Sequence, residues 1–218
     1  MTEKRTIAVI GGAGNLGKAL AWRLARAGHR IIIGSRSADA AAAAAAAIGH
    51  GARGLANAAA AAEAELAIIA IPFSAQEAIL RDIAPHVAGK IVVDTTVPLV
   101  PPSVMRVQLP AEGSAAQRTH TILGDGVRVV SAFHNVAAHK LAEPGEVACD
   151  VLVFGDDKEA RAVVVALAED AGLRGLHAGA LANSVAAEAL TSILIFLNKT
   201  YKVDGAGIRI TGSLTPLS

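Results

Sequence analysis

The chain has 218 residues, enough for one large domain or for one domain with a small annex. Lys and Arg number 20 against 19 Asp and Glu, and a net charge of +1 gives no electrostatic basis for binding nucleic acid or an anionic membrane. The single cysteine, Cys149, excludes an intrachain disulfide framework. The 53% hydrophobic content is carried largely by alanine, which favours close helix packing. The opening Met1–Thr6 leads into only a short apolar run, and no stretch of roughly 18 residues is free of a charge or break. The expectation is a soluble, cytoplasmic protein with no secretory leader and no membrane span.

Short β-branched runs alternate with longer alanine- and leucine-rich stretches, the pattern of βαβ units around a parallel sheet. Strands are predicted at Thr6–Ile10, Arg30–Ile33, Leu66–Ile71 and Ile91–Asp94, with a weaker strand and turn over His50–Leu55. Helices are predicted at Asn15–Ala27, Ala38–Ile48 and Ser74–Ile83. Pro98, Pro101, Pro102, Pro110 and Gly113 mark an irregular crossing, and the loop from Pro98 to Thr121 is a candidate cover for a cleft.

Strands then fit Val127–Ala132, Val151–Phe154 and Gly175–Ala178, with a helix over Lys158–Ala171. A long helix, Ala182–Tyr201, is apolar around most of its circumference, which suggests a subunit or domain contact as well as a core. The tail from Asp204 is glycine-rich, and it either adds an edge strand through Ile208 and Ile210 or extends over the surface. The fold class is therefore α/β: a Rossmann-type doubly wound, mostly parallel sheet with a small C-terminal α/β extension and a long apolar final helix. Residues 1–125 are expected to form the dinucleotide-binding core and 126–218 to complete a second pocket and a dimer contact, the two together forming either two parts or one continuous domain.

The first strand runs into Gly11-Gly12-Ala13-Gly14-Asn15-Leu16-Gly17. From Gly12 this is G-x-G-x-x-G between a strand and a helix, where a dinucleotide-binding turn requires it. One glycine makes the turn, one lets backbone approach a pyrophosphate, and Gly17 lets helix and strand pack closely. The helix start presents free N–H groups and partial positive charge to phosphate. At the end of the second strand, Gly34-Ser35-Arg36 stands where an NAD enzyme carries a ribose-binding carboxylate. Serine and a charged guanidinium fork suit a 2′-phosphate, so NADP(H) is expected over NAD(H).

Ligands in such a sheet gather beyond the carboxyl ends of the strands. There the chain places Ile71, Pro72 and Phe73, and then Val97 and Pro98, as candidates to border a nicotinamide. Asp94, Thr95 and Thr96 serve either a ligand or the strand-end backbone. His134, Asn135 and Val136 follow a later strand end, and His134 is a proton donor, a ligand-orienting group or a core histidine. Asn183 and Ser184 open the last helix as caps or ligand contacts, and with Glu188 and Thr191 they form a polar stripe that needs partners. No metal site is expected, since His120, His134 and His139 lack further ligands at suitable spacing. No nucleophile–base pair stands out, which suits direct hydride transfer between bound rings.

The segments Gly11–Lys18, Gly34–Arg36, Ile71–Phe73, Val130–His134, Val153–Asp157, Asn183–Ser184 and Glu188–Thr191, in this order, resemble the NADPH-dependent reductases of the deazaflavin coenzyme F-420. The resemblance implies reversible hydride transfer between NADPH and F-420 and a homodimer. It also implies that Ser35 and Arg36 hold the 2′-phosphate and that the backbone of Asn15 and Leu16 holds the pyrophosphate. Pro72 and Phe73 would border the nicotinamide, and His134, Val136, Ser184 and Thr191 the deazaflavin. Ala13 replaces a usual threonine, Phe73 a common tryptophan, and Asn135-Val136-Ala137 a more usual Thr-Ile-Pro. Two other readings remain: an NADPH-dependent reductase of a flavin, imine or carbonyl compound, and a non-catalytic NADP-binding regulatory protein.

Overall fold

The structure is a computed structural model that describes residues 3–214. Its strands are β1 (Thr6–Ile10), β2 (Arg30–Ser35), β3 (Arg53–Ala56), β4 (Leu66–Ile69), β5 (Ile91–Asp94), β6 (Arg128–Ser131), β7 (Asp150–Gly155) and β8 (Arg174–His177). They form one eight-stranded sheet in the order β3-β2-β1-β4-β5-β6-β7-β8. Every pairing is parallel except β6 with β7, where Val130 faces Gly155 and Ser131 faces Phe154. The chain runs outward from β1 to β3, returns to β4 and runs outward again, which opens a crevice beyond the carboxyl ends of β1 and β4.

Among the described residues seven α-helices join the strands and an eighth follows the last one: α1 (Asn15–Arg26), α2 (Ala38–Ile48), α3 (Asn57–Glu63), α4 (Gln76–Ile83), α5 (Ala115–Leu123), α6 (Ala138–Ala142), α7 (Lys158–Asp170) and α8 (Ser184–Tyr201). Alternation along the strands divides the core into two layers. Ile7 and Val9 of β1 pack with α1, α2, α6 and α7, while Ala8 and Ile10 pack with α3, α4 and α5. Strands covered on both faces explain the near-continuous apolar runs.

Several expectations are corrected. The weak strand and turn expected over His50–Leu55 divide into a turn in which Gly49, His50 and Gly51 all take positive φ and a strand that begins only at Arg53 and runs one residue further, to Ala56. The strand expected to reach Ile71 ends at Ile69, and Phe73–Ala75 form a single 3₁₀ turn ahead of α4. The expected loop Pro98–Thr121 ends early, since Ser114 caps α5 by accepting from Gln117 N at 3.0 Å. The helix α3 also went unread, as a seven-residue alanine stretch without an N-cap hydrogen bond. The tail forms no strand among the described residues. It lies across the start of β7, where Asp150 N donates to Ile208 O at 2.8 Å.

By length and composition alone Leu181–Tyr201 is long and apolar enough to cross a membrane, although Glu188 and Lys199 interrupt it. One face of that helix buries Ser184, Glu188 and Ser192 inside the protein, and the other exposes Ile193 and Phe196.

Arg23 ties the front of the chain to its back. This residue of α1 is 7% exposed. Its guanidinium donates to Leu141 O at 2.6 Å, Glu143 O at 2.5 Å, Gly145 O at 3.0 Å and Ala171 O at 2.8 Å. These carbonyls lie at the C-terminal ends of α6 and α7, where helix dipoles favour a cation.

Candidate active site

The glycine-rich turn is built as its spacing requires. Gly11 N and Gly12 N both donate to Gly34 O, at 3.0 and 3.2 Å, locking the turn onto β2. Gly11 has φ +75, and a Cβ there would lie 2.6 Å from Ala70 O. A Cβ on Gly17 would lie 2.7 Å from Gly12 Cα, so α1 can sit this close to the turn only with glycine there. At Gly14 the nearest atom to a Cβ is Gly11 O at 3.4 Å, and the approach is otherwise open. Gly14 itself caps α1 with no side-chain hydrogen bond, and the first turn holds no acidic residue. The amides of Asn15, Leu16 and Gly17 thus begin a helix that no carboxylate neutralises, which is the condition for holding a phosphate.

At the end of β2, Ser35 Oγ accepts from Ser37 N at 3.3 Å, and Ser37 caps α2 through Ala40 N at 3.2 Å. Arg36 is exposed. An exposed guanidinium next to a serine is the chemistry that suits a 2′-phosphate, although Asp39 stands in the first turn of α2 close by in the chain.

Beyond β4, β5 and β6 lies a cleft of about 290 Å³. Of the residues singled out from the sequence, Leu16, Ile71, Pro72, Phe73, Val97, His134, Val136 and Thr191 line it. Thr95, weighed from the sequence as a ligand or backbone group, lines it as well, and Leu99 and Phe133, not anticipated as contacts, complete the lining. Pro98, Asn135, Asn183 and Ser184 are outside it. A larger cavity of about 600 Å³ follows the outer side of α1, between α2 and α6, from Asn15 to Trp22.

The far wall depends on an unusual backbone. Phe133 has φ +67 and is 2% exposed. A left-handed conformation at a bulky residue is rare and gathers at functional sites. It turns the chain sharply after β6, so that both Phe133 and His134 reach the cleft. His134 Nε2 lies 3.1 Å from Ser131 Oγ, and Nδ1 has no hydrogen-bond partner among the described residues. Burial pushes the imidazole down to about 3, so the ring is neutral at working pH and is not an imidazolium acid. A hydrogen-bonding role is the one its geometry supports.

Thr191 donates to His134 O at 3.0 Å, while Asn135 Nδ2 donates to Ala187 O at 2.8 Å and to Thr191 Oγ1 at 3.2 Å. Asn135 therefore fixes the wall from behind. On the near wall, Phe73 carries the Arg118 guanidinium 5.2 Å above its ring. Thr95 Oγ1 donates to Ile69 O at 2.9 Å and Asp94 Oδ1 accepts from Thr96 N at 2.7 Å, so both groups serve the strand-end backbone. The polar stripe on α8 finds its partners in the protein. Ser184 Oγ donates to Ser114 Oγ at 2.9 Å, and Glu188 accepts from the first amides of α5.

The family model described as NADP oxidoreductase coenzyme F420-dependent matches residues 6–98. An F420-dependent NADP reductase of Methanothermobacter marburgensis is 41% identical over 218 residues, covering 94% of this chain and 97% of that one. The enzyme of the same description from Methanocaldococcus jannaschii is 39% identical over 220 residues, with 94% and 97% covered. The chain belongs to the F420-dependent NADP reductase family. A crystal structure of a provisional F420-dependent NADP-reductase from Arthrobacter sp. FB24 superposes with TM-score 0.85 at 27% identity, covering 95% of this chain and all of that one.

Proposed function

We propose that the protein transfers a hydride reversibly between NADPH and coenzyme F420. Residues 1–125 hold the dinucleotide and residues 126–218 complete the acceptor pocket. The observation that carries this reading is the cleft itself, whose two walls meet without a charged group between them. The near wall is Leu16, Ile71, Pro72 and Phe73, and the far wall is Phe133, His134, Val136 and Thr191. The two coenzymes supply the hydride donor and acceptor. The chain's part is to orient two flat rings and keep water away, which such a transfer needs more than a nucleophile.

In this assignment Gly12, Ala13, Gly14, Asn15, Leu16 and Gly17 cradle the pyrophosphate through backbone amides, and Ser35 with Arg36 grips the 2′-phosphate. Ile71, Pro72, Phe73, Val97 and Pro98 form the nicotinamide side. His134 and Val136 face the deazaflavin with Thr191, while Asn135 and Ser184 support from behind, and Asn183 stands at the exposed start of α8. An imine or carbonyl acceptor would call for a proton donor, and a buried neutral His134 supplies a poor one. The exposed Ile193 and Phe196 on α8 suit a homodimer contact, and the cytoplasm suits a reductase of diffusible coenzymes.

The test is direct. NADPH with protein should bleach oxidised F420, and absence of bleaching overturns the reading. Arg36→Ala should weaken NADPH roughly tenfold to a hundredfold while leaving NADH nearly unchanged, because a charge-assisted phosphate contact is lost. Equal weakening of both nucleotides would place Arg36 elsewhere in the site.

A further inference from the structure

Glu188 lies outside the cleft and no step of the proposed reaction uses it, yet it is 1% exposed. Its Oε2 accepts from Ala115 N at 2.6 Å and its Oε1 from Ala116 N at 3.1 Å. Both oxygens are thus committed to the first turn of α5. The segment that enters α5 is a strap, residues 95–114, and a second buried carboxyl pins its other end. Asp94 Oδ1 accepts from Thr96 N at 2.7 Å, and its Oδ2 accepts from Gln76 Nε2 at 3.0 Å and from the Thr119 hydroxyl. Gln76 Nε2 also donates to Ala115 O at 3.0 Å, which links the two anchors.

Between the anchors, Val97 and Leu99 of the strap line the cleft. Thr191, three residues beyond Glu188 on α8, lines it from the opposite side. One side chain therefore couples both walls.

We propose that Glu188 is a positioning residue for the hydride acceptor: by gripping α5 with both carboxylate oxygens it sets the strap and the Thr191 wall at their working separation. The identity of the acceptor rests on the proposed function. The grip needs two acceptor atoms. A protonated carboxyl, or an amide, turns one of them into a donor facing an N–H, and the grip loosens.

Among the described residues no cation forms an ion pair with this carboxyl. Arg118 on α5 reaches Glu77 at 2.8 Å and Glu112 at 3.9 Å, and His120 pairs with Asp125 at 3.4 Å. Asp150 of β7 pairs with Arg174 at 2.5 Å, Asp156 accepts from Leu181 N at 3.0 Å, and Arg106 of the strap is exposed. Asp94 is the charged neighbour that acts on Glu188. Burial, with Asp94 adding to it, pushes the carboxyl up to about 7 against the pull of the two amides. Its proton therefore comes and goes near neutrality.

The experiment measures kcat, KM for F420 and Kd for NADPH from pH 6 to 8.5 in the wild type, Glu188→Gln and Glu188→Asp. Loss of one charge-assisted hydrogen bond should raise the KM of Glu188→Gln for F420 roughly tenfold at pH 8, with a much smaller loss of NADPH affinity, since the strap borders only the nicotinamide end of that coenzyme through Val97 and Pro98. The ratio of variant to wild-type KM should fall toward one at pH 6, where the wild type is itself protonated; taking the ratio cancels titration of the deazaflavin. Glu188→Asp keeps two acceptors and should restore part of the pH dependence.

A ratio that stays constant with pH, or NADPH affinity that falls in step with KM, overturns the proposal. If the wild type fails to reduce F420, the proposed function fails, and hydrogen exchange still judges the grip. The amides of residues 95–116 should lose protection between pH 8 and pH 6 in the wild type, after correction for intrinsic exchange, and lose none in Glu188→Gln. Equal behaviour of the two proteins overturns it.

Discussion

At the residue scale, the site depends on atoms that are missing. Gly17→Ala would drive a methyl group to 2.7 Å from Gly12 Cα and 3.0 Å from Gly11 O, both backbone, so the turn or α1 must shift. Overpacking of this kind costs about 1–3 kcal/mol. The variant should therefore melt several degrees lower and bind NADPH more weakly, as a thermal scan and a fluorescence titration would show; unaltered binding would mean the turn does not contact the nucleotide. The glycine turn and the Ser35–Arg36 pair were legible from the sequence because local backbone geometry alone dictates them. Phe133 was not legible: nothing in Ala132-Phe133-His134 signals a left-handed phenylalanine, which is held there by the packing around it.

At the element scale, helices of strong period or high propensity were readable, and α2, an alanine run, begins and ends where predicted. Those without predicted bounds, α3, α5 and the five-residue α6, are short, and the polar half of α5 is rich in weak helix formers that give little local signal. Ser114 caps α5 locally, but its first two amides are held from a distance by Glu188 on α8. The sequence marked the α8 stripe as needing partners, but only the fold could reveal that another helix supplies them. The Arg23 clamp on α6 and α7 is likewise non-local. Arg23→Ala would strip several buried carbonyls of their donor, and a loss of roughly 3 kcal/mol is expected. Chemical denaturation should show a lower midpoint with an unchanged slope, while Arg23→Lys should recover only part because a point charge cannot span the fork.

At the scale of the whole molecule, the buried carboxyls set how stability follows pH. Glu188 is raised from 4.5 to about 7 in the fold, and burial raises Asp94 as well. A raised acid contributes stability that is complete below its unfolded pKa and is lost as pH climbs through the folded value. Asp150 runs the other way: Arg174 lowers it, so its contribution is present above about 3.8 and is lost in acid. The stability maximum should accordingly lie in mild acid, with Glu188 alone accounting for a decline on the order of 3 kcal/mol between pH 5 and pH 8. Urea titrations at the two pH values test this, and Glu188→Gln should flatten the decline. A wild type more stable at pH 8 than at pH 5 would contradict the assignment.

The Arg23 clamp also bears on how the polypeptide is made. Its acceptor at Ala171 emerges from the ribosome 148 residues after the arginine does. During synthesis the first six strands can pair while that guanidinium still faces water. The clamp on α1 can therefore be completed only once the last third of the chain is present.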